Sequence, residues 1–328
     1  MNSTIAIFDL VQDDLLKVDA IMRAEPRLLA ARSFATEERV PREPSPLDLN
    51  SVIDYLVSSG GKRVRPALAL LVSRIFPTEQ ERIANLAAAI EMLHTATLVH
   101  DDLIDGALFR RGNPTLNATW TPSATVLTGD FLFARAADLA AQTNNVRVMR
   151  LFAQTLTVIC NGEINQMFDK HAGLSREKYY ERIYAKTAAL FAVAPEAAGV
   201  LGDATEPVIK ALRDFGECLG MAFQIVDDVL DFVGDADFMG KPAGSDLRAG
   251  LVTSPTLWFL EQDNGHDVIR DVLKNGRTDD ASIRAAVHSI RESGAIEASL
   301  DEAQQFILRS QEALEILPPS EYKEALWE

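Results

Sequence analysis

Apolar side chains recur at the three- and four-residue spacing of an amphipathic helix along most of this 328-residue chain. The first such segment covers residues 4–31. A second helix is predicted over about 46–58, with Ser45 as its N-cap, Pro46 at its first position and Gly60-Gly61 at its end. Further helices are predicted near 66–76, 80–105, 122–142, 145–169, 176–201, 205–233 and 252–262, with shorter ones toward the C-terminus. No segment alternates convincingly as a strand does, so the pattern predicts an all-α protein.

The predicted helices follow one another without a low-complexity linker or a repeat of fixed period. We therefore expect a single all-helical domain over residues 1–328. It comprises an N-terminal helix and linker (1–44), a core with the polar motifs (about 45–262) and C-terminal helices (263–328).

The charge balance narrows the classes of partner. The chain has 48 acidic and 32 basic residues and a formal net charge of −16. Such a balance argues against a nucleic-acid partner and, more weakly, against an anionic membrane surface. The N-terminal stretch lacks the basic region of a signal peptide, and no run of about 18 apolar residues occurs. We expect a cytoplasmic protein without a stable membrane anchor, and buried free thiols at its two cysteines, Cys160 and Cys218.

Two predicted helices end in clusters of aspartates. In DDLID, Asp101 and Asp105 lie one turn apart on the helix face that also carries Thr97 and His94. In DDVLD, three aspartates and a glutamine form one polar stripe on an otherwise apolar helix: Gln224, Asp227, Asp228 and Asp231. Like charges at this spacing repel, which a solvated helix face tolerates but a bound cation explains better. Carboxylates without His or Cys suit a hard cation such as magnesium.

Basic residues lie near both aspartate motifs. A glycine turn followed by a helix start carries Lys62 and Arg65, and adjacent arginines, Arg110 and Arg111, follow DDLID. The other candidates are Lys186 with Thr187 within an apolar helix, and Lys241 in the loop GKPAGSD. Each could bind phosphate oxygens. Taken alone, however, the basic turn is better explained by solvated charges, and the adjacent arginines equally well by ordinary loop charges. Lys186 could extend its charge to the surface, and Lys241 could belong to a plain turn. His94 alone is more often a core histidine.

These motifs, in this order, resemble the trans-isoprenyl diphosphate synthases, or polyprenyl synthetases. The resemblance rests on GGKRVRP, HTATLVHDDLIDGALFRRGNPT, GDFLFARA, Lys186-Thr187, FQIVDDVLDF and GKPAGSDL, and covers roughly residues 45–262. It implies an all-α helical bundle around a central active-site cavity, and a homodimer.

The resemblance also implies a role for each motif residue. Three magnesium ions would be held against an allylic diphosphate by Asp101, Asp102, Asp105, Asp227, Asp228 and Asp231. The allylic diphosphate itself would be contacted by Arg110, Lys186, Thr187, Gln224 and Lys241, and isopentenyl diphosphate by Lys62, Arg65, His94 and Arg111. Ionisation of the allylic carbon–oxygen bond would be followed by head-to-tail attack of isopentenyl diphosphate. Where many relatives have a second lysine beyond the GKPxGxDL loop, this chain has Leu251, so one phosphate contact is missing or replaced.

The residues before DDLID bear on product length. Short-chain members of the family place aromatic side chains where this chain has Ala96 and Thr97, and Leu93 is the next residue of medium size on the helix. We therefore expect a product of four or more isoprene units, medium or long, with geranylgeranyl diphosphate as the alternative. A class I terpene cyclase and a non-catalytic subunit of a heteromeric synthase are the alternatives of other classes.

Overall fold

Helices form almost all of the regular structure in the computed structural model of the protein, which describes residues 8–24, 49–168, 175–234, 243–262, 269, 272–273 and 279–328. After a 3₁₀ turn at Asp9–Val11, the helices are, in chain order, α1 (Gln12–Arg23), α2 (Leu49–Ser58), α3 (Val64–Ile75), α4 (Gln80–Ile104), α5 (Leu116–Thr119), α6 (Pro122–Ala141), α7 (Val146–Phe168), α8 (Arg176–Ile183), α9 (Ala189–Leu201), α10 (Glu206–Val233), α11 (Ser245–Arg248), α12 (Ser254–Glu261), α13 (Asp280–Glu292), α14 (Ala295–Leu314) and α15 (Glu321–Trp327). The all-α prediction is confirmed. The predicted N-cap at Ser45-Pro46 lies outside the described residues.

The chain forms two units. The first comprises residues 1–152, 197–204 and 318–328, and the second comprises residues 153–196 and 205–317. In the first unit α4 packs against α1, α3 and α6. Helix α4 is buried over most of its length, which explains why its own apolar residues occur on several of its faces.

In the second unit α10 packs along α14 and beside the segment that joins α8 to α9. Its buried positions follow the helical period, from Ile209 through Leu212 and Phe215 to Phe232. The last buried residues of α10 also contact a cluster that includes Ile283 and Ile290 of α13. This packing fixes the rotation of α10 and therefore decides which of its aspartates face solvent.

A short hairpin follows α4 and was not predicted. Strand β1 (Phe109–Arg110) pairs antiparallel with β2 (Asn113–Pro114), so that Arg110 lies opposite Asn113. The connecting residues Arg111 and Gly112 have φ of 51° and 78°. A two-residue hairpin loop needs such left-handed conformations. Two-residue strands are too short to give an alternating pattern, so the sequence could not indicate them.

The cysteines only partly follow the prediction. Both thiols are free, but Cys160 is exposed and Cys218 is partly exposed. Burial was therefore the wrong expectation for Cys160, which faces solvent from α7. Among the described residues, no helix combines the length and the apolar character needed to cross a bilayer.

Candidate active site

The first aspartate motif lies at the C-terminal end of α4, in the first unit. The Asp105 backbone N–H donates to the Asp101 carbonyl at 2.8 Å, so the helical geometry extends through the motif. Asp101 is partly exposed and Asp105 is exposed. Two accessible carboxylates therefore stand one turn apart, as the sequence predicts.

Asp102 belongs to the same motif but points into the protein, where it meets the hairpin. Its Oδ1 accepts a hydrogen bond from Arg110 Nε at 2.8 Å. Burial raises the pKa of the Asp102 carboxyl, Arg110 opposes that rise, and Asp105 adds to it. The pair connects the aspartate motif to the loop that supplies Arg110 and Arg111.

Basic side chains surround His94, two turns before Asp101. Desolvation, followed by the charges of Arg65, Arg111, Arg110 and Arg63, holds the pKa of His94 well below its usual range, so the ring is neutral. Burial lowers the pKa of Arg65 to about 10, with Glu91 opposing and Arg111 adding to the fall. Three of the four residues predicted to bind isopentenyl diphosphate thus lie together.

The fourth residue of that set, Lys62, is exposed on the turn between α2 and α3. Arg111 donates to the carbonyl of Gly60, two residues earlier, and so attaches the hairpin to this turn. Gly60 has φ of 86°, as expected for a glycine that ends a helix. A Cβ at Gly61 would lie 3.3 Å from Arg111 Nη1, so glycine at this position leaves room for the guanidinium group.

The second aspartate motif lies near the C-terminal end of α10, in the second unit, and its three carboxylates are in different environments. Asp227 is exposed, whereas Asp228 and Asp231 are buried. Gln224 donates to Asp228 Oδ1 at 2.9 Å and accepts from Thr187 Oγ1 at 2.5 Å. Two residues of the predicted polar stripe, Gln224 and Asp228, therefore belong to a bonded network that includes Thr187.

Tyr179 on α8 completes this network and was not predicted. Its hydroxyl donates to Asp228 Oδ2 at 2.8 Å, and its ring is buried. Burial raises the pKa of Asp228 to about 7, while the hydrogen bonds from Gln224 and Tyr179 oppose the rise. Nothing in the sequence distinguishes Tyr179 from the adjacent Tyr180, because only the fold shows which hydroxyl reaches an aspartate.

Asp231 holds the segment that follows the second motif. Its carboxylate accepts from the Ser245 hydroxyl and from the Asp246 backbone N–H, and its carbonyl accepts from the Gly244 N–H. Asp231 therefore fixes the start of α11. Lys241, predicted to contact the allylic diphosphate, lies outside the described residues. Leu251, expected to stand in place of a phosphate-binding lysine, is partly exposed.

Lys186 and Thr187 lie in a π-helical turn, Tyr184–Ala188, between α8 and α9. A π turn inserts one extra residue into a helix and is frequent at functional sites. Thr187 is buried against Gln224, whereas Lys186 is exposed and its Nζ lies 4.0 Å from Glu163 Oε1. The helical period did not predict this turn.

The residues expected to limit product length lie on α4. Ala96 and Leu93 are fully buried, and Thr97 is partly exposed with its hydroxyl donated to the His94 carbonyl. Of the three, Thr97 has the most room for a larger side chain.

The accessible carboxylates of each motif suit a cation that takes its other ligands from outside the protein. Among the described residues, no three His, Cys, Asp or Glu side chains converge as a closed metal site. The accessible motif carboxylates are Asp101 and Asp105 in one unit and Asp227 in the other. Magnesium typically takes one or two protein carboxylates and completes its shell with water and substrate phosphate oxygens. The residues present therefore fit magnesium held jointly with a diphosphate.

The fold and these residues define an all-α protein with two aspartate motifs and a basic cluster, and comparison with known proteins gives the family. The sequence model described as polyprenyl synthetase matches residues 47–290. The chain therefore belongs to the polyprenyl synthetase family and is a prenyltransferase of isoprenoid biosynthesis.

Individual relatives agree with this assignment. The chain is 39% identical to heptaprenyl diphosphate synthase component 2 of Geobacillus stearothermophilus over 89% of this chain and 91% of the relative. It is 40% identical to a Rhodobacter capsulatus all-trans-nonaprenyl-diphosphate synthase (geranyl-diphosphate specific) over 84% of this chain and 85% of the relative. A polyprenyl synthase from Caulobacter crescentus, complexed with calcium and isoprenyl diphosphate, superposes with a TM-score of 0.85 at 33% identity, over 99% and 95% of the two chains. Family and structures together indicate dependence on a divalent metal.

Proposed function

We propose that this protein is a trans-polyprenyl diphosphate synthase that joins isopentenyl diphosphate head-to-tail to an allylic diphosphate. One observation carries the proposal: α4 bears both the carboxylates Asp101 and Asp105 and, two turns earlier, His94 in a cluster of arginines. An enzyme that binds two diphosphates needs both the carboxylates, which hold metal against one diphosphate, and the basic residues, which bind the other. A terpene cyclase binds one diphosphate and has no use for the second set, which argues against that alternative.

The proposed mechanism is electrostatic. The six aspartates, Asp101, Asp102, Asp105, Asp227, Asp228 and Asp231, would hold three magnesium ions, which supply positive charge to the departing diphosphate when bound. The remaining negative charge would be met by Arg110, Lys186, Thr187, Gln224 and Lys241.

The bonding changes balance without a nucleophilic side chain. The allylic carbon–oxygen bond breaks and its electron pair leaves with the diphosphate. The double bond of isopentenyl diphosphate then forms the new carbon–carbon bond to the allylic cation. A proton is lost from the adduct, and the released diphosphate is the nearest base that the reaction itself provides. Lys62, Arg65, His94 and Arg111 would hold the second diphosphate in place during this sequence.

Product length and assembly are further parts of the proposal. Small residues at Ala96 and Thr97 support a product of four or more isoprene units. The long-chain products named for the relatives favour a product longer than geranylgeranyl diphosphate, which is the alternative. We propose a cytoplasmic homodimer, and the exposed apolar residues Val126 and Leu127 on α6 are suited to a protein interface. The Geobacillus relative is named as a component, which makes a heteromeric assembly the alternative.

The deciding experiment is incubation of the purified protein with isopentenyl diphosphate, magnesium and each allylic primer in turn, with the product lengths resolved by chromatography. We expect elongation by the protein alone, beyond geranylgeranyl diphosphate, and none after removal of divalent metal with EDTA. Light scattering on the same sample gives the oligomeric state. Elongation only after addition of a second protein would overturn the homomeric proposal, and a cyclised product would favour the cyclase.

Asp227→Asn tests the second motif. Because Asp227 is the exposed carboxylate of DDVLD, we expect the kcat for elongation to fall about 100-fold or more. Asp214→Asn is the matched control, since Asp214 lies on the same helix and pairs with Lys210 at the surface. Near-normal turnover in the Asp227 variant would remove this residue from the proposed metal site.

A further inference from the structure

Arg63 lies between Lys62 and Arg65 in the basic turn, yet its side chain is fully engaged within the protein. Its Nε donates to Asp19 at 3.0 Å, Nη1 to Glu91 at 2.8 Å and Nη2 to the Val57 carbonyl at 2.8 Å. Only 12% of the side chain is exposed. A guanidinium with all three nitrogens in use is a structural cation rather than a free phosphate ligand.

The backbone at Arg63 is also unusual. Its φ is 51°, in the left-handed region that residues other than glycine seldom adopt, and it immediately precedes α3. Such a conformation is strained and persists where surrounding contacts hold it. The three side-chain contacts of Arg63 supply that restraint, and they therefore set the path of the chain from Lys62 to Arg65.

The surrounding charges give a second reason for these contacts. A Cβ at Gly61 would meet Arg63 Nη1 at 3.2 Å and Arg111 Nη1 at 3.3 Å, so the two guanidinium groups approach the same glycine from different elements. Arg65 lies close enough to Glu91 and Arg111 for both charges to act on it. Asp19 and Glu91, the carboxylates bonded to Arg63, offset the repulsion among these arginines.

Asp19 connects this turn to α1, which precedes the residues 47–290 that match the family model. The helix is packed into the first unit, because Val18 and Met22 are buried and Asp14 pairs with Lys17 and with Arg74 of α3. Asp14 is thus an anchor of the same helix that does not contact the basic turn.

We propose that Arg63 is a positioning residue for isopentenyl diphosphate, and that α1 contributes to this positioning through Asp19. The proposal rests on the assignment of Lys62, Arg65, His94 and Arg111 to that substrate under the proposed function. Loss of the Asp19–Arg63 contact shifts the turn and weakens binding of isopentenyl diphosphate. The allylic diphosphate, assigned to other residues, is bound as before.

The test compares Asp19→Asn with Asp13→Asn, an exposed aspartate on the same helix. Calorimetric titration with isopentenyl diphosphate in the absence of primer measures binding without turnover. We expect Asp19→Asn to raise its Kd about 5- to 10-fold, the equivalent of one lost charge-assisted hydrogen bond, and Asp13→Asn to leave it unchanged. In turnover assays of Asp19→Asn, the KM for isopentenyl diphosphate should rise by about the same 5- to 10-fold factor as the Kd. The KM for the allylic primer should stay within about twofold of the parent value.

Two further variants separate positioning from general damage. Asp19→Glu keeps the charge and should restore most of the affinity. Asp14→Asn should lower the melting temperature without the selective rise in the KM for isopentenyl diphosphate. Unchanged affinity in Asp19→Asn, or an equal loss for both substrates, would overturn the proposal. If the parent protein itself neither binds nor consumes isopentenyl diphosphate, the proposed function fails instead.

Discussion

At the scale of single residues, burial divides the aspartates of each motif into two kinds. Three of them are accessible: Asp101, Asp105 and Asp227. The other three are buried and hydrogen-bonded. Asp102 accepts from Arg110, Asp228 from Tyr179 and Gln224, and Asp231 from Ser245 and Asp246. A buried carboxylate without partners would be costly, so these contacts are needed for the fold as well as for the site. The accessible aspartates can reach solvent, and the buried aspartates fix neighbouring segments of the chain.

Tyr179→Phe tests the role of the hydrogen bonds to a buried aspartate, Asp228. The substitution leaves Asp228 Oδ2 without its donor, so we expect the free energy of unfolding to fall by about 1–3 kcal/mol and the kcat to fall with it. Urea unfolding and steady-state kinetics measure the two effects.

The adjacent tyrosine is the control. Tyr180 donates to Glu302 at 2.5 Å, so Tyr180→Phe removes an equivalent hydrogen bond from the same unit. We expect Tyr180→Phe to lose stability without a matching loss of kcat. Equal kinetic losses in the two variants would show that Tyr179 has no particular role in positioning Asp228.

At the scale of elements, the π turn and α10 form one functional arrangement. Gly220 and Gly216 of α10 let the helix approach the backbone of the segment from Ala188 to Ala192, and Gln224 lies one turn beyond Gly220. This close approach brings Thr187 within hydrogen-bonding distance of Gln224. Glycine at these positions is therefore part of how the second motif is assembled.

Gly220→Ala tests this contact between elements. The new Cβ would lie 2.6 Å from Ala188 Cα, a backbone atom that cannot rotate away. We expect a loss of about 1–3 kcal/mol in unfolding free energy from overpacking, and a raised KM for the allylic substrate. At an exposed helical site, glycine to alanine would stabilise the protein by up to about 1 kcal/mol. The sign of the change in unfolding free energy therefore shows whether Gly220 is packed against the neighbouring backbone.

Lys210→Ala serves as the control for Gly220→Ala, because it introduces alanine at an exposed position of the same helix. Its stability should stay within about 0.5 kcal/mol of the parent. A Gly220 variant that is as stable as the parent would mean that the two elements can separate without consequence.

At the scale of the whole molecule, net charge and local charge differ in sign. The chain carries a net charge of −16, yet four arginines act on His94. Screening confines a surface charge to about 8 Å at physiological ionic strength, so a basic cluster is compatible with an acidic protein. The net charge argued against a nucleic-acid partner but could not reveal the basic cluster.

Product length is also a property of the whole molecule, and Thr97→Phe tests it. Thr97 lies one turn before Asp101 and is partly exposed, so a phenyl ring there would obstruct a chain that grows past the motif. We expect shorter products, resolved by reversed-phase chromatography, with turnover of the first condensation retained. Ala96→Phe should act in the same direction but at a cost in stability, because Ala96 is fully buried.

Thr119→Phe, at an exposed position of α5, controls for the added ring and should leave the product distribution unchanged. A folded Thr97 variant with the parent's distribution would show that the growing chain does not pass this residue.

The sequence by itself determined the all-α class, most helix bounds to within a few residues, and the motifs that give the family. Helical periodicity and capping are local, so they can be read over a dozen residues. The aspartates, the arginines and His94 were identified because ionisable residues at fixed helical spacing are informative without knowledge of their neighbours.

Only the tertiary structure decided how those residues are used. It selected Tyr179 over Tyr180, buried Asp228 and Asp231 while leaving Asp227 exposed, and engaged Arg63 between Lys62 and Arg65. It also inserted the π turn at Lys186. Each outcome depends on contacts between residues far apart in the chain, such as Asp19 with Arg63 or Tyr179 with Asp228. Burial and pairing arise from packing, which local spacing does not encode.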